Sequence, residues 1–322
     1  MATAQPLEAP VGAERRSPLA VTLTALGWTV LILFAALEIF PFVFTVANSF
    51  KCLPAVQTYP RAIIPVPPLG VECTYQEGER AGASLPPSET SGPVTFNPTL
   101  EGYREILDAN LPRWLFNTAF FAVAVTILRL AFDSLAGYAL ARLKFPGNRL
   151  LFFTILGTMM VPPIVLLIPR FIILKQFGML NTYQGLIVPL AVDAFGIFLM
   201  KQFFESVPGE IEEAALVDGA NRFVLFTRVV LPMATPALTA LAIFSFQGTW
   251  NDFLMPLIIL SGNKNLWTLP LGLSFLRGAY GETLRWHAFL AGSVITTLPL
   301  ALIFFYFQRY FVEGISYSGL KG

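Results

Sequence analysis

AFLAGSVITTLPLALIFFYF, residues 288–307, runs twenty positions without a formal charge. A helix rises about 1.5 Å per residue, so twenty residues cross the roughly 30 Å hydrocarbon core of a bilayer. Upstream lie five more apolar stretches of spanning length: Leu19–Ala47, Trp114–Leu140, Leu150–Pro169, Tyr183–Met200 and Leu231–Leu260. The last of these exceeds one span, so its start is expected in the membrane interface. Lipid offers the backbone no hydrogen-bond partner, which makes each stretch a helix. Alternating polar and apolar decamers, the mark of an outer-membrane barrel, are absent. The expected fold is all-α, a polytopic membrane protein of six transmembrane helices.

Composition agrees. Apolar residues make up 55% of the chain and charged ones 13%, with 30 Phe and a mean hydropathy of +0.65. A soluble domain carries roughly 25% charged residues to keep its surface wet. A net charge of +1 gives no bias toward nucleic acid. Two Cys and one His exclude a Cys/His metal framework and leave little for nucleophile–His catalysis, so no catalytic or metal residues are assigned. The first apolar stretch is too long for the roughly 7–15-residue core of a signal peptide and reads as a span.

An even number of spans puts both termini on one face. Short loops on that face hold ten basic residues, including Arg142, Lys144, Arg149, Arg222 and Arg228, against five on the other. This bias predicts cytoplasmic termini; the long loop 48–113, whose own five basic residues would level the count, is too long to report orientation. The expected layout is a cytoplasmic segment 1–18, span one at 19–47, an external loop at 48–113, a membrane core at 114–312 and a cytoplasmic tail at 313–322.

The external loop is rich in Pro, Gly and Ser and reads as an irregular insertion. It holds both cysteines, Cys52 and Cys73. In an oxidising compartment a disulfide between them would tether the segment by about 3 kcal/mol. Two unrelated thiols are the alternative.

Between spans four and five lies SVPGEIEEAALVDGANRFVLFTRVVLP, residues 206–232. Pro208 suits the first helical position, and Glu210, Glu212 and Glu213 sit where the helix dipole favours negative charge. Ile211, Ala214, Ala215 and Leu216 give a short apolar face, and Asp218-Gly219 supplies a C-terminal stop. A helix of about ten residues is expected on the cytoplasmic surface, with a small-residue face suited to another protein's groove. A second helix leads to Leu231-Pro232.

This segment resembles the EAA loop of ABC importer permeases. Glu213, Ala214, Ala215, Gly219, Leu231 and Pro232 match that pattern in register, and Val229 stands where the pattern has Ile. The likeness extends along the chain. Asn48–Lys51 resembles the end of span one in carbohydrate-type permeases, Tyr138–Arg142 with Phe145–Gly147 the turn after span two, Trp250–Phe253 with Pro256-Leu257 span five, and Gly319–Gly322 the C-terminus. Together these look like the second permease of maltose-type systems, apart from the longer external insertion. The resemblance implies a transport subunit of the cytoplasmic membrane that carries a sugar by alternating access. It also implies four kinds of partner: a second permease, a dimer of ATP-binding cassette subunits, an external substrate-binding protein and the sugar. The helix around Glu213–Gly219, with Asp218, would dock on the ATPase, and Lys321 in the tail would reach the same interface. No G-x-x-x-x-G-K-[ST] occurs, so ATP and Mg are expected on the partner and no cofactor on this chain.

Charge inside a membrane is costly and asks for a reason. Arg129 and Asp133 lie four apart on span two, where they read as a structural ion pair or as a proton relay. Glu38 and Asp193 are candidates to line a hydrophilic path. Trp250, Asn251 and Asp252 combine an aromatic face with hydrogen-bonding groups, which serves a sugar pathway or helix packing equally. His287 is expected at the interface. Among other readings, an ABC permease for a polyamine, amino acid or phosphate keeps the architecture and changes the cargo. A proton-coupled carrier would use Arg129/Asp133 and show internal repeats, of which the sequence has none convincing. A membrane enzyme lacks a clustered His, Asp or Ser set.

Overall fold

The computed structural model of the chain describes residues 18–58, 82–83, 99–276 and 285–318. Most of the N-terminal segment, most of the external insertion with Cys73, and the tail with Lys321 lie outside the described residues. Within them every regular element is helical. Ten helices carry the architecture: Pro18–Ser49 (α1), Glu101–Asp108 (α2), Leu111–Arg142 (α3), Asn148–Met159 (α4), Leu167–Gln176 (α5), Ala194–Ser206 (α6), Gly209–Val217 (α7), Thr235–Trp250 (α8), Leu269–Phe275 (α9) and Trp286–Ser318 (α10).

Four helical stretches are long and apolar enough to cross a membrane, and two bent pairs bring the number to as many as six. The third expected span is not one rod. It bends by 95° between α4 and Pro163–Gln176. Pro162 and Pro163 remove two backbone donors there, and their rings clash with the preceding turn. The fifth expected span is also bent: the helical stretch Arg222–Met233 meets α8 at 79°. Ahead of that bend Leu225–Val230 forms a π-helix. Pro232 lacks the N–H for the next intrahelical bond, and a widened turn accommodates the defect.

α3 is the central member and packs on both α6 and α8. Gly137 permits its close approach to α6, since a Cβ there would stand 2.8 Å from Met200 Cβ. One apolar cluster surrounds Phe121, Trp250, Trp267 and Leu269. A second, toward the α7 end, gathers Tyr138, Met200, Phe204, Leu225 and Phe226, with the Tyr138 and Phe204 rings edge-on at 5.7 Å. α1 is exposed from Thr22 to Val43 and meets the remainder mainly through α10.

The insertion leaves and returns at one neck. Thr99 N donates to Phe50 O at 2.7 Å, Leu53 N donates to Glu101 Oε2 at 3.2 Å, and the Ser49 and Tyr103 hydroxyls lie 2.8 Å apart. Cys52, in the neck, is buried and is not a free thiol. α2 is clamped to the start of α10, where Glu105 meets His287 Nε2 at 2.5 Å and Arg285 Nη1 at 3.2 Å. His287 is therefore fully buried under α2 and does not face the interface. Gly102 lets α2 lie directly on the His287 backbone carbonyl.

Overpacking a tight helix contact costs about 1–3 kcal/mol. Gly137→Leu should lower the unfolding temperature of the purified protein, whereas Gly157→Leu, which points into open space, should leave it unchanged. Equal effects would show that the α3–α6 approach is not tight.

Candidate functional site

α7 has nine residues, and its ends explain its boundaries. Pro208 sits just outside it in an extended conformation, as the N-cap and not the first helical residue. Gly219 has φ +85, a conformation that costs a residue with a Cβ. Gly219 N donates to Leu216 O at 3.1 Å and Ala220 N to Ala215 O at 3.0 Å. That pairing is the Schellman arrangement, which stops the helix and turns the chain. Asn221 then caps the following helix, its side chain accepting from Val224 N at 2.9 Å.

The two faces of α7 differ. Glu213, Ala214, Asp218 and Gly219 are exposed and Ala215 is half-buried. Beside them Val217 is 88% exposed and Phe223 69%. Apolar side chains this open, rimmed by acidic ones, mark an unfilled contact surface. The inner face holds one of the three glutamates. Glu212 is buried and its Oε1 lies 2.9 Å from Arg142 Nε at the end of α3. Arg142 Nη2 also donates to Val207 O, in the connection leading to α7. One side chain thus ties both the helix and its lead-in to the central span.

Arg129 and Asp133 follow the same logic deeper in α3. They do not close an ion pair with each other. Arg129 Nε donates to Leu190 O at 2.8 Å, and Asp133 Oδ1 accepts from Asp193 N at 3.0 Å. Leu190 ends a 3-10 turn and Asp193 is the N-cap of α6, so the two side chains serve the two sides of a break in the fourth span. A free carbonyl takes the cation and a free N–H takes the anion, which a break at membrane depth requires. Asp193 itself accepts from Gly196 N at 3.3 Å. Gly196 has no alternative, because a Cβ there would collide with the Asp133 carboxylate.

Trp250, Asn251 and Asp252 close α8 with three different roles. Trp250 is buried, stacks on Phe246 at 5.3 Å and donates from Nε1 to Thr296 O at 3.2 Å, tying α8 to α10. Asp252 Oδ1 accepts from Met255 N at 3.3 Å, and the charges of Arg170 and Arg129 act on it. Asn251 is exposed and lines a cavity of about 440 Å3 between the α8 end, α9 and α10. No hydrogen bond among the described residues joins Asp193 to this turn. Glu38 lies on the exposed side of α1.

A bundle of spanning helices, a helix presented beyond it and a polar interior define a membrane transport component. Residues 133–317 match the family of binding-protein-dependent transport system inner membrane components, and the chain belongs to that family. It is 36% identical over 209 residues to the arabinooligosaccharides transport system permease protein AraQ of Halalkalibacterium halodurans, covering 65% of this chain and 74% of that one. To the trehalose/maltose transport system permease protein MalG of Thermococcus litoralis it is 33% identical over 234 residues, 71% of this chain and 84% of that one. The sn-glycerol-3-phosphate transport system permease protein UgpE of Yersinia enterocolitica is 33% identical over 201 residues, 62% and 71% of the two chains. A crystal structure of a bacterial ABC transporter involved in the import of the acidic polysaccharide alginate shares the fold. Its TM-score is 0.71 at 22% identity, covering 93% of this chain and all of the other.

A buried N–H stripped of its acceptor costs about 1–3 kcal/mol. Asp133→Ala should therefore lower thermal stability in detergent more than Asp133→Asn, which keeps an acceptor oxygen for Asp193 N. Equal losses from the two variants would rule out the brace.

Proposed function

We propose that this chain is the sugar-translocating permease of an ATP-driven importer in the cytoplasmic membrane, with both termini cytoplasmic. Its partners are a second permease of the maltose-type pair, a dimer of ATP-binding cassette subunits that binds ATP and Mg, and an external substrate-binding protein. The observation that carries this reading is α7. It is exposed on its Glu213/Ala214 and Val217 side and fixed to the central span through Glu212 and Arg142 on the other. A contact made on the outer face is passed to the bundle by an ion pair.

The sugar is supported by relatives named for arabino-oligosaccharides and for trehalose and maltose. Lys144 and Arg149, in the short connection that follows Arg142 at the end of α3, support a cytoplasmic placement of that face. In this reading the tail with Lys321 adds to the ATPase contact. The insertion, on the external face, is stapled by Cys52 and Cys73.

Two experiments test the reading. Affinity purification of the wild-type complex should recover an ATP-binding subunit, and Glu213→Ala combined with Gly219→Pro should lose it or uncouple hydrolysis from transport. Recovery of no ATPase by the wild type, with transport driven by a proton gradient, would contradict the proposal. For the staple, the denatured, unreduced protein should react with no maleimide and the reduced protein with two equivalents. Two equivalents without reductant would refute it.

A further inference from the structure

We propose that the 440 Å3 cavity at the outer end of α8 is a subsite for one unit of a neutral sugar, so that this subunit itself touches the cargo. The inference rests on the reading of the chain as a sugar importer. The volume lies within the range of about 300–1,000 Å3 typical of small-molecule sites. Its walls combine two aromatic rings, Phe253 and Phe289, with four hydroxyls and an amide, Ser274, Ser293, Thr296, Thr297 and Asn251; Thr296 Oγ1 donates to Gly292 O at 2.7 Å.

The hydrogen bonds already made decide what those polar groups can still offer. Ser293 Oγ donates to Phe289 O at 2.8 Å, Thr297 Oγ1 to Ser293 O at 2.9 Å and Ser274 Oγ to Leu271 O at 2.7 Å. Each hydroxyl has one proton and two lone pairs, so with the proton engaged it presents an acceptor. Asn251 spends one N–H on Gln247 O at 3.0 Å and retains another N–H and its carbonyl oxygen. The cavity is therefore rich in acceptors and suits a ligand that brings many O–H donors. A phosphate or carboxylate brings acceptors only, and none of the described lining residues carries a charge to balance it. The two rings match the apolar C–H face of a pyranose, and the acceptors match its hydroxyl edge. Trp250, bonded to Thr296 O, fixes the α8 wall against the α10 wall.

The test uses the assembled transporter with its binding protein in proteoliposomes. Ser293→Cys should be labelled by a maleimide and protected about fivefold or more by maltose or trehalose at several times the half-saturating concentration, as occupancy of the cavity requires. Ser261→Cys, exposed in the turn beyond the fifth span, should be labelled alike with and without sugar. Thr297→Val should slow disaccharide uptake about fivefold, and Thr297→Ser should restore it. Unchanged labelling at position 293 in a complex that does transport the disaccharide would overturn the subsite and leave the importer reading standing. Uptake of sn-glycerol 3-phosphate with none of either disaccharide would overturn both.

Discussion

Arg142 and Glu212 meet at 2.9 Å with little exposure of either side chain, and the remainder of the α7 end of the bundle is arranged around that contact. A nine-residue helix such as α7 is marginal in water without tertiary support. Here a buried charge pair supplies the support, and Arg142 reaches Val207 as well. Removing one member of a buried pair leaves an uncompensated charge and costs about 3–5 kcal/mol. The contact also sets direction, because it leaves Glu213, Ala214 and Val217 pointing away from the bundle. Beneath it the Tyr138, Phe204 and Phe226 rings pack the end of α3 against α6 and the π-helix. A push on α7 therefore meets a stiff connection to the central span.

The same helix answers the main difficulty of the membrane interior, where broken helices leave backbone groups without water. Arg129 and Asp133, one turn apart on α3, serve a carbonyl and an N–H at the break of the fourth span. The two sides of that break thus meet at polar groups carried by α3. The turn 250–252 joins this charged interior, on the Asp252 side, to the hydroxyl-lined cavity on the Asn251 side.

The positions of the spans are legible in the sequence because apolar length alone sets them. α3, Leu111–Arg142, begins and ends close to the expected Trp114–Leu140, whereas α10 begins close to the expected Ala288 but runs on well past Phe307 to Ser318. The bends are less legible, since an apolar stretch looks the same straight or broken; Pro162-Pro163 and Pro232 were the available signals. The end of α7 is legible to the residue, because only glycine adopts φ +85 without strain. The spacing of Arg129 and Asp133 placed them on one face but not with their partners, because an i,i+4 pattern cannot reveal a backbone on a neighbouring helix. Glu212 was hidden for a related reason. Three glutamates in one short helix read alike as dipole partners, and only packing against α3 distinguishes the buried one.

The central claim is that α7 drives the bundle through Arg142 and Glu212. Its most direct test is transport per ATP hydrolysed in the assembled importer, for Arg142→Glu, for Glu212→Arg and for the two combined. The account predicts hydrolysis with little transport in each single variant and substantial recovery in the charge-swapped double. Single variants that transport as well per ATP as the wild type would contradict it.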